Sequence, residues 1–125
     1  MTTAHYPDWP TEPHSRWIAF GHTFGRHLME AARDYACQRI PSVTSPEQRA
    51  LAEASALDAI YGMLMLLDGI PLNKIGPDRT IAYALIARVR QYPAEGEDPV
   101  EVVELAPDGD GLCTGYHSWV RGEFE

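Results

Sequence analysis

The stretch from Ser45 to Pro71 constrains the fold most, because it carries the start, body and stop signals of one long helix. Ser45 is a preferred N-cap residue, Pro46 follows at the first helical position, and Gln48 completes a capping box. Gly69 suits a left-handed C-cap, and Pro71 prevents the helix from continuing. The rest of the chain is therefore expected to pack against this helix.

The second half of this helix is apolar on nearly all sides. It runs from Ala59 to Leu67, with Tyr61 and Gly62 as the only interruptions. A segment that is apolar all round is expected to be buried. Asp58 directly precedes it, and a carboxylate among apolar neighbours either reaches solvent or needs a hydrogen-bond donor. Asp58 is therefore the residue of this helix that packing alone does not explain.

An earlier segment also shows helical periodicity. Apolar and aromatic residues recur at three- and four-residue steps from Ser15 or slightly before to about Arg39, which predicts a first helix that Pro41 ends. Because only a short connection separates the two helices, we expect an antiparallel helical hairpin. Gly21 and Gly25 each weaken a helix by about 1 kcal/mol relative to alanine, so we expect them to allow close approach of another backbone.

The chain after the helices favours β-structure. Residues 80–92 alternate as a strand does, although their spacing also fits a helix. The segment from Val100 to Leu105 is rich in β-branched residues and too short for a helix, so the two segments are predicted to form an antiparallel hairpin. Tyr116 and Trp119 lie at helical spacing, which predicts a short C-terminal helix or turn. The predicted class is α+β, with an all-α domain as the alternative.

Length and composition indicate a globular protein. The chain has 125 residues, of which 45% are hydrophobic and 22% charged, enough for a core without a metal or disulfide. Three prolines within residues 1–14 predict an extended N-terminal arm, and residues 15–125 are predicted to form one domain. Cys37 and Cys113 are expected to be reduced thiols, since no signal segment precedes them. No apolar run reaches the roughly 20 residues of a membrane helix, so we expect a soluble, cytoplasmic protein.

The acidic charge is concentrated in the C-terminal third. The net charge is −8, and residues 91–125 contain nine carboxylates against Arg121 alone. Such a surface repels phosphate backbones and attracts basic proteins, which argues against nucleic acid as the ligand. The leading hypothesis is a small non-enzymatic protein that binds a basic protein partner, of the bacterial immunity, antitoxin or adaptor type. The predicted partner-binding residues are Glu101, Glu104, Asp108, Asp110, Tyr116 and Trp119.

The alternative hypothesis is a small enzyme or ligand-binding protein with a pocket between the helices and the C-terminal segment. Cys113 and His117 are four residues apart and would share one face of a helix, as a thiol–imidazole pair does. A homodimer formed through the hairpin edges or the Gly21/Gly25 face is a third alternative. No nucleotide-binding, zinc-protease or nucleophile-elbow motif occurs, so we predict no catalytic residue, metal site or cofactor. The candidate pocket residues are His22, Asp58, Cys113 and His117.

Overall fold

The computed structural model describes residues 9–91, 101–105 and 111–125. Helices pack there with two small antiparallel sheets, which confirms the α+β class and makes the all-α alternative wrong. The helical segments are α1 (Pro13–Leu28), a π-helical segment (Met29–Asp34), α2 (Tyr35–Gln38), α3 (Pro46–Leu67) and α4 (Leu112–Trp119). The strands are β1 (Lys74–Gly76), β2 (Arg79–Thr80), β3 (Ile86–Val89) and β4 (Glu101–Glu104).

α3 begins and ends where its sequence signals predict. The Ser45 hydroxyl accepts a hydrogen bond from the backbone N–H of Gln48 at 3.2 Å, so Ser45 is the N-cap. At the other end Gly69 has a φ of 74°, and the Ile70 N–H donates to the Met65 carbonyl at 3.1 Å. This is the pattern of a Schellman motif, which satisfies carbonyl groups that the last helical turn leaves free.

The first helix begins at Pro13, slightly before Ser15 as predicted, and Glu12 caps it. The Glu12 carboxylate accepts hydrogen bonds from the backbone N–H groups of His14 at 3.1 Å and Ser15 at 2.7 Å. α1, the π-helical segment and α2 follow one another directly, so the chain is helical from Pro13 to Gln38. Glutamate is not among the preferred N-cap residues, so the sequence pattern did not identify Glu12 as the cap.

The described end of the N-terminal arm packs against α1. The Trp9 ring stacks on the Phe20 ring with their centroids 4.7 Å apart. The Arg16 guanidinium lies 5.8 Å from the Trp9 centroid and 5.2 Å from the Phe20 centroid. Tyr6, the other aromatic residue of the predicted arm, lies outside the described residues. Trp9 therefore attaches the chain before α1 to the helical surface.

The predicted β-hairpin is present with a shorter first strand. β3 and β4 pair antiparallel, with Ile86 opposite Glu104. The prediction of one strand across residues 80–92 is wrong at residues 81–85 and 90–91, which belong to no strand, and Thr80 belongs to β2. β1 and β2 form a second small antiparallel hairpin.

α4 packs against both α1 and α3 and contributes the centre of the core. Trp119 is completely buried, with 0% of its surface exposed. Its predicted place among exposed partner-binding residues is therefore wrong. Gly25 on α1 makes this burial possible, since a Cβ there would lie 2.2 Å from the indole ring. The glycine that was expected to face another backbone faces this aromatic ring instead.

α3 is less buried than its composition predicts. Ile60 and Leu64 are buried, but Leu51, Met63 and Leu66 are 70%, 65% and 36% exposed. The predicted burial of the second half on all sides is therefore wrong, because α4, the π-helical segment and α2 pack against one side of the helix. Among the described residues, α3 is the one helix long and apolar enough to cross a membrane, judged by length and composition alone.

Arg16 and Trp17 connect α1 to β4. The Arg16 Nε donates to a Glu101 carboxylate oxygen at 2.9 Å, and its Nη2 donates to the other oxygen. The Trp17 Nε1 donates to the Glu104 carbonyl at 2.7 Å. The hydrogen bond from Arg16 lowers the pKa of Glu101. Glu101 therefore already has a cation within its own chain.

Gly25→Ala is expected to destabilise the fold, because the added methyl group would overlap the Trp119 ring. Overpacking of this kind costs about 1–3 kcal/mol, more than the roughly 1 kcal/mol that alanine contributes to helix propensity. The matched control is Gly62→Ala, where an added Cβ meets no atom of the described residues within 4 Å. It should raise the free energy of unfolding in dilute solution by up to about 1 kcal/mol. Urea unfolding measures both changes, and a Gly25→Ala variant as stable as the wild type would contradict this packing.

Stability is expected to fall in acid. Hydrogen bonds from the Ser15 and His14 backbone lower the pKa of Glu12, and the hydrogen bond from Arg16 lowers that of Glu101. A carboxyl group whose pKa is lower in the folded state stabilises it above the unfolded pKa of about 4.3 and loses that contribution as the pH falls through the folded value. Urea unfolding at neutral pH and at about pH 3 measures the loss. Glu101→Gln should lose less than the wild type, and an identical loss would count against the role of the ion pair.

Candidate functional site

The end of α3 and the start of α4 meet at the Asp68 carboxylate. Asp68 is the C-cap residue of α3. Its Oδ1 accepts a hydrogen bond from the Leu112 N–H at 2.8 Å, and its Oδ2 accepts one from the Cys113 N–H at 2.7 Å. The first N–H groups of a helix have no intrahelical acceptor, and the helix dipole favours a negative charge there. Asp68 therefore caps α4 from a position 44 residues away in the sequence.

Gly111 leaves the space that this cap requires. Its φ is 97°, in the region that favours glycine, and a Cβ there would lie 2.7 Å from an Asp68 carboxylate oxygen. Most helices are capped by the side chain of the N-cap residue itself. In α4 the N-cap residue is this glycine, and the capping oxygens come from another helix.

The Cys113 thiol is not activated as a nucleophile. It is buried, and burial together with its hydrogen bond to Asp68 raises its pKa to about 11. The thiolate is the reactive form of cysteine, so this group stays protonated near neutral pH. The thiol–imidazole pair hypothesised for Cys113 and His117 therefore lacks the thiolate that would act as its nucleophile.

His22 belongs to the core contact of Trp119. Its Nδ1 accepts a hydrogen bond from the Trp119 Nε1 at 3.0 Å, and the two rings meet edge to face. A buried indole N–H needs an acceptor, and an accepting Nδ1 carries no proton. His22 thus has a structural role in satisfying the most buried side chain of the protein.

Four side chains form a surface between α3 and α4 that we call the Tyr116 patch: Asp58, Tyr61, Tyr116 and His117. The ring centroids of Tyr61 and Tyr116 are 5.0 Å apart, and the His117 ring lies 5.6 Å from each. The Tyr116 hydroxyl donates to the Leu57 carbonyl at 3.2 Å, which fixes the ring against α3. The two tyrosines are half-buried, whereas Asp58 and His117 are exposed.

Asp58 supplies the negative charge of this patch. The pKa of Tyr116 is raised, first by burial and next by the charge of Asp58. Asp58 is exposed to solvent. Of the two possibilities for a carboxylate among apolar neighbours, solvent exposure or a hydrogen-bond donor, the first therefore applies. Within the described part of the chain, no ion pair involves its carboxylate. An exposed carboxylate whose charge acts on Tyr116 is available to a cation from outside the chain.

The structure separates the predicted partner-binding residues. Glu101 is paired with α1, and Trp119 lies in the core. Glu104 is exposed on β4, and Tyr116 belongs to the Tyr116 patch. Two further residues of the prediction, Asp108 and Asp110, lie outside the described residues.

The four candidate pocket residues do not share one pocket. Asp58 acts on Tyr116 through its charge, His117 packs on Tyr61 and Tyr116, and the Cys113 thiol contacts Tyr61, but His22 packs on Trp119 instead. A groove of about 490 Å³ opens beside Cys113, between the end of α3 and the start of α4, and the other three residues do not line it. In the residues that the structure describes, no group of three His, Cys, Asp or Glu side chains could hold a metal ion.

Comparison with family models, curated proteins and solved structures found no match to this chain. Function is therefore inferred from the chain's own residues. Sequence reasoning did not select Asp68 or Tyr61 for the site. The available signal for Asp68 was its position at a helix C-terminus, where a carboxylate is unfavourable for its own helix and suggests another use. For Tyr61 the available signal was the presence of a polar hydroxyl group inside an apolar run.

Asp68→Ala is expected to destabilise the protein by about 1–2 kcal/mol, because α4 loses its cap. It should also lower the pKa of Cys113, so that this thiol reacts faster with a disulfide reagent. Asp58→Ala removes an exposed carboxylate of α3 that caps no helix, and it should change neither quantity much. Urea unfolding and timed labelling followed by mass spectrometry test both effects. Unchanged stability and labelling in Asp68→Ala would refute the capping role.

Proposed function

We propose that this chain is a non-enzymatic binding protein of the cytoplasm that engages a basic protein partner. The observation that carries the proposal is the Tyr116 patch, in which the charge of the exposed Asp58 carboxylate acts on Tyr116, whose ring packs with the rings of Tyr61 and His117. Two free cysteines are compatible with a reducing compartment. Small size and net acidity support an immunity, antitoxin or adaptor role by analogy.

A carboxylate next to aromatic rings suits an arginine or lysine side chain. The cation pairs with the carboxylate while its flat or methylene portion lies over a ring. The chain uses this combination internally, since Arg16 pairs with Glu101 and lies over the rings of Trp9 and Phe20. The Tyr116 patch offers the same combination to a partner. Tyrosine also provides a large contact area at low entropic cost and is enriched at protein interfaces.

The net charge contributes a longer-range attraction. At −8 the protein attracts basic molecules before contact, over a distance of about 10 Å at 0.1 M salt. The exposed Glu104 remains part of this acidic surface, whereas the charge of Glu101 is compensated by Arg16. Salt is therefore expected to slow association strongly, while the ring contacts of the Tyr116 patch set the lifetime of the complex.

Asp58→Lys is expected to weaken binding of a synthetic peptide of alternating glycine and arginine by about tenfold or more, because an ion pair becomes a repulsion. The matched control is Glu47→Lys, which reverses an exposed charge in the first turn of the same helix. This control should retain most of the binding. Calorimetric titration at low and high salt measures both affinities. The same two variants, used as baits in a lysate, distinguish a patch-dependent partner from proteins held by net charge.

The position of the contact is tested by amide NMR with the same peptide. Shifts should concentrate at the residues of the Tyr116 patch and be absent from Asp58→Lys. Equal losses of binding in the two lysine variants, or shifts spread over all carboxylates, would contradict the proposal. The acidic charge would then serve solubility alone.

A further inference from the structure

His117 is the member of the Tyr116 patch whose type of side chain changes its charge near neutral pH. It is exposed, and its ring centroid lies 5.6 Å from that of Tyr61 and 5.6 Å from that of Tyr116. Histidine becomes positively charged between about pH 8 and pH 5, whereas aspartate and tyrosine ordinarily titrate outside this range. The charge of the patch near neutral pH therefore depends on one exposed imidazole.

The position of His117 lets its own ring act as a cation on the two tyrosines. A cation within about 6 Å of a ring centroid is attracted by the face of the ring. The His117 ring meets this distance for both tyrosines, at interplanar angles of 52° to Tyr61 and 75° to Tyr116. Asp58 acts on the same group of side chains, since burial first and then its charge raise the pKa of Tyr116. An imidazolium at this position therefore uses the rings that a partner's cation would use.

We propose that protonation of His117 regulates the Tyr116 patch, so that the patch binds a basic partner while the imidazole is neutral and releases it as the imidazolium forms. This inference rests on the proposed function, because it concerns the regulation of the same site. Two positive charges on one small surface repel each other. The protonated His117 thus competes, from within the chain, with the arginine or lysine of the partner.

The sign of the pH dependence follows from linkage. A partner's cation disfavours the protonated form of His117, and the proton disfavours the partner by the same factor. Binding is therefore strongest above the titration range of histidine and weakens as the pH falls through it, by at most about tenfold per pH unit for one proton. Water screens charges at an exposed site, so we expect the affinity to fall about three- to tenfold between about pH 8 and pH 5.5.

The other described titratable groups close to His117 or facing α4 act differently. The Cys113 thiol lies one helical turn before His117, and its pKa of about 11 keeps it uncharged in this range. Arg121 lies one turn after His117, stays charged, and pairs with Glu123 at 3.2 Å. On the α1 side, His22 accepts a hydrogen bond from the buried indole of α4. A variant that changes His117 and keeps His22 separates the two imidazoles.

Calorimetric titration with the peptide of alternating glycine and arginine, at about pH 8 and pH 5.5, tests the proposal. The guanidinium groups of the peptide keep their charge over this range, so a change in affinity comes from the protein. The wild type should bind about three- to tenfold more weakly at the lower pH, and His117→Gln should change by less than about twofold. The matched control is His27→Gln, which removes an exposed histidine of α1 and should keep the wild-type dependence.

Two further measurements separate the charge of His117 from other effects of acid. His117→Lys carries a positive charge at both pH values, and it should bind at about pH 8 as weakly as the wild type does at about pH 5.5. Titration at about pH 6.5 in two buffers of different ionisation enthalpy counts the protons that binding releases. The wild type should release up to one proton for each patch that binds the peptide, and His117→Gln should release almost none.

The possible failures are distinguishable. A peptide that binds the wild type equally at both pH values, or a His117→Gln variant that keeps the full pH dependence, would overturn the role of His117 and leave the proposed function standing. A peptide that fails to bind the wild type at about pH 8 would overturn the proposed function and this inference together.

Discussion

The contact on which the rest of the structure depends is the Asp68 carboxylate at the N-terminus of α4. A helix of eight residues is too short to be stable alone in water. α4 is held because α3 caps its first turn and because Trp119, its last residue, is buried against α1. Attachment at both ends fixes the position and the rotation of α4. Tyr116 and His117 lie between the two attachments, so these two contacts, together with the hydrogen bond from the Tyr116 hydroxyl to the Leu57 carbonyl, set the geometry of the Tyr116 patch.

The parts of the fold that the sequence predicted are those that short-range chemistry determines. Ser45 and Gly69 bound α3 through hydrogen bonds within a few residues, and β-branched residues favour β4 wherever it packs. The contacts that assemble these elements join distant residues: Asp68 caps a helix 44 residues later, and Arg16 pairs with a carboxylate 85 residues later. No pattern within one segment contains both partners of such a contact, so none could have indicated it.

The candidate site was predictable residue by residue but not as a group. Asp58 was recognisable as a carboxylate in an apolar setting, and Tyr116 as an aromatic residue in the acidic third. Tyr116 and Trp119 are three residues apart and therefore lie on the same side of α4. The helical period alone could not decide which of the two faces the core. That choice depends on Gly25, whose missing side chain admits the larger ring. With Trp119 buried, Tyr116 lies at the edge of the core beside Tyr61, where aromatic and charged groups meet solvent.

The apolar second half of α3 shows what hydrophobic patterning determines and what it leaves open. A helix that is apolar all round is expected to be covered, but the pattern does not say whether its own chain provides the cover. Here the neighbouring helices bury Ile60 and Leu64 and leave Met63 and Leu66 in water, at a cost of about 25 cal/mol per Å² of apolar surface. Burial against any partner would remove that cost, because the hydrophobic effect is non-directional. In the proposed function, Asp58 at the edge of this helix adds the selectivity that apolar surface lacks, since its charge selects a cation.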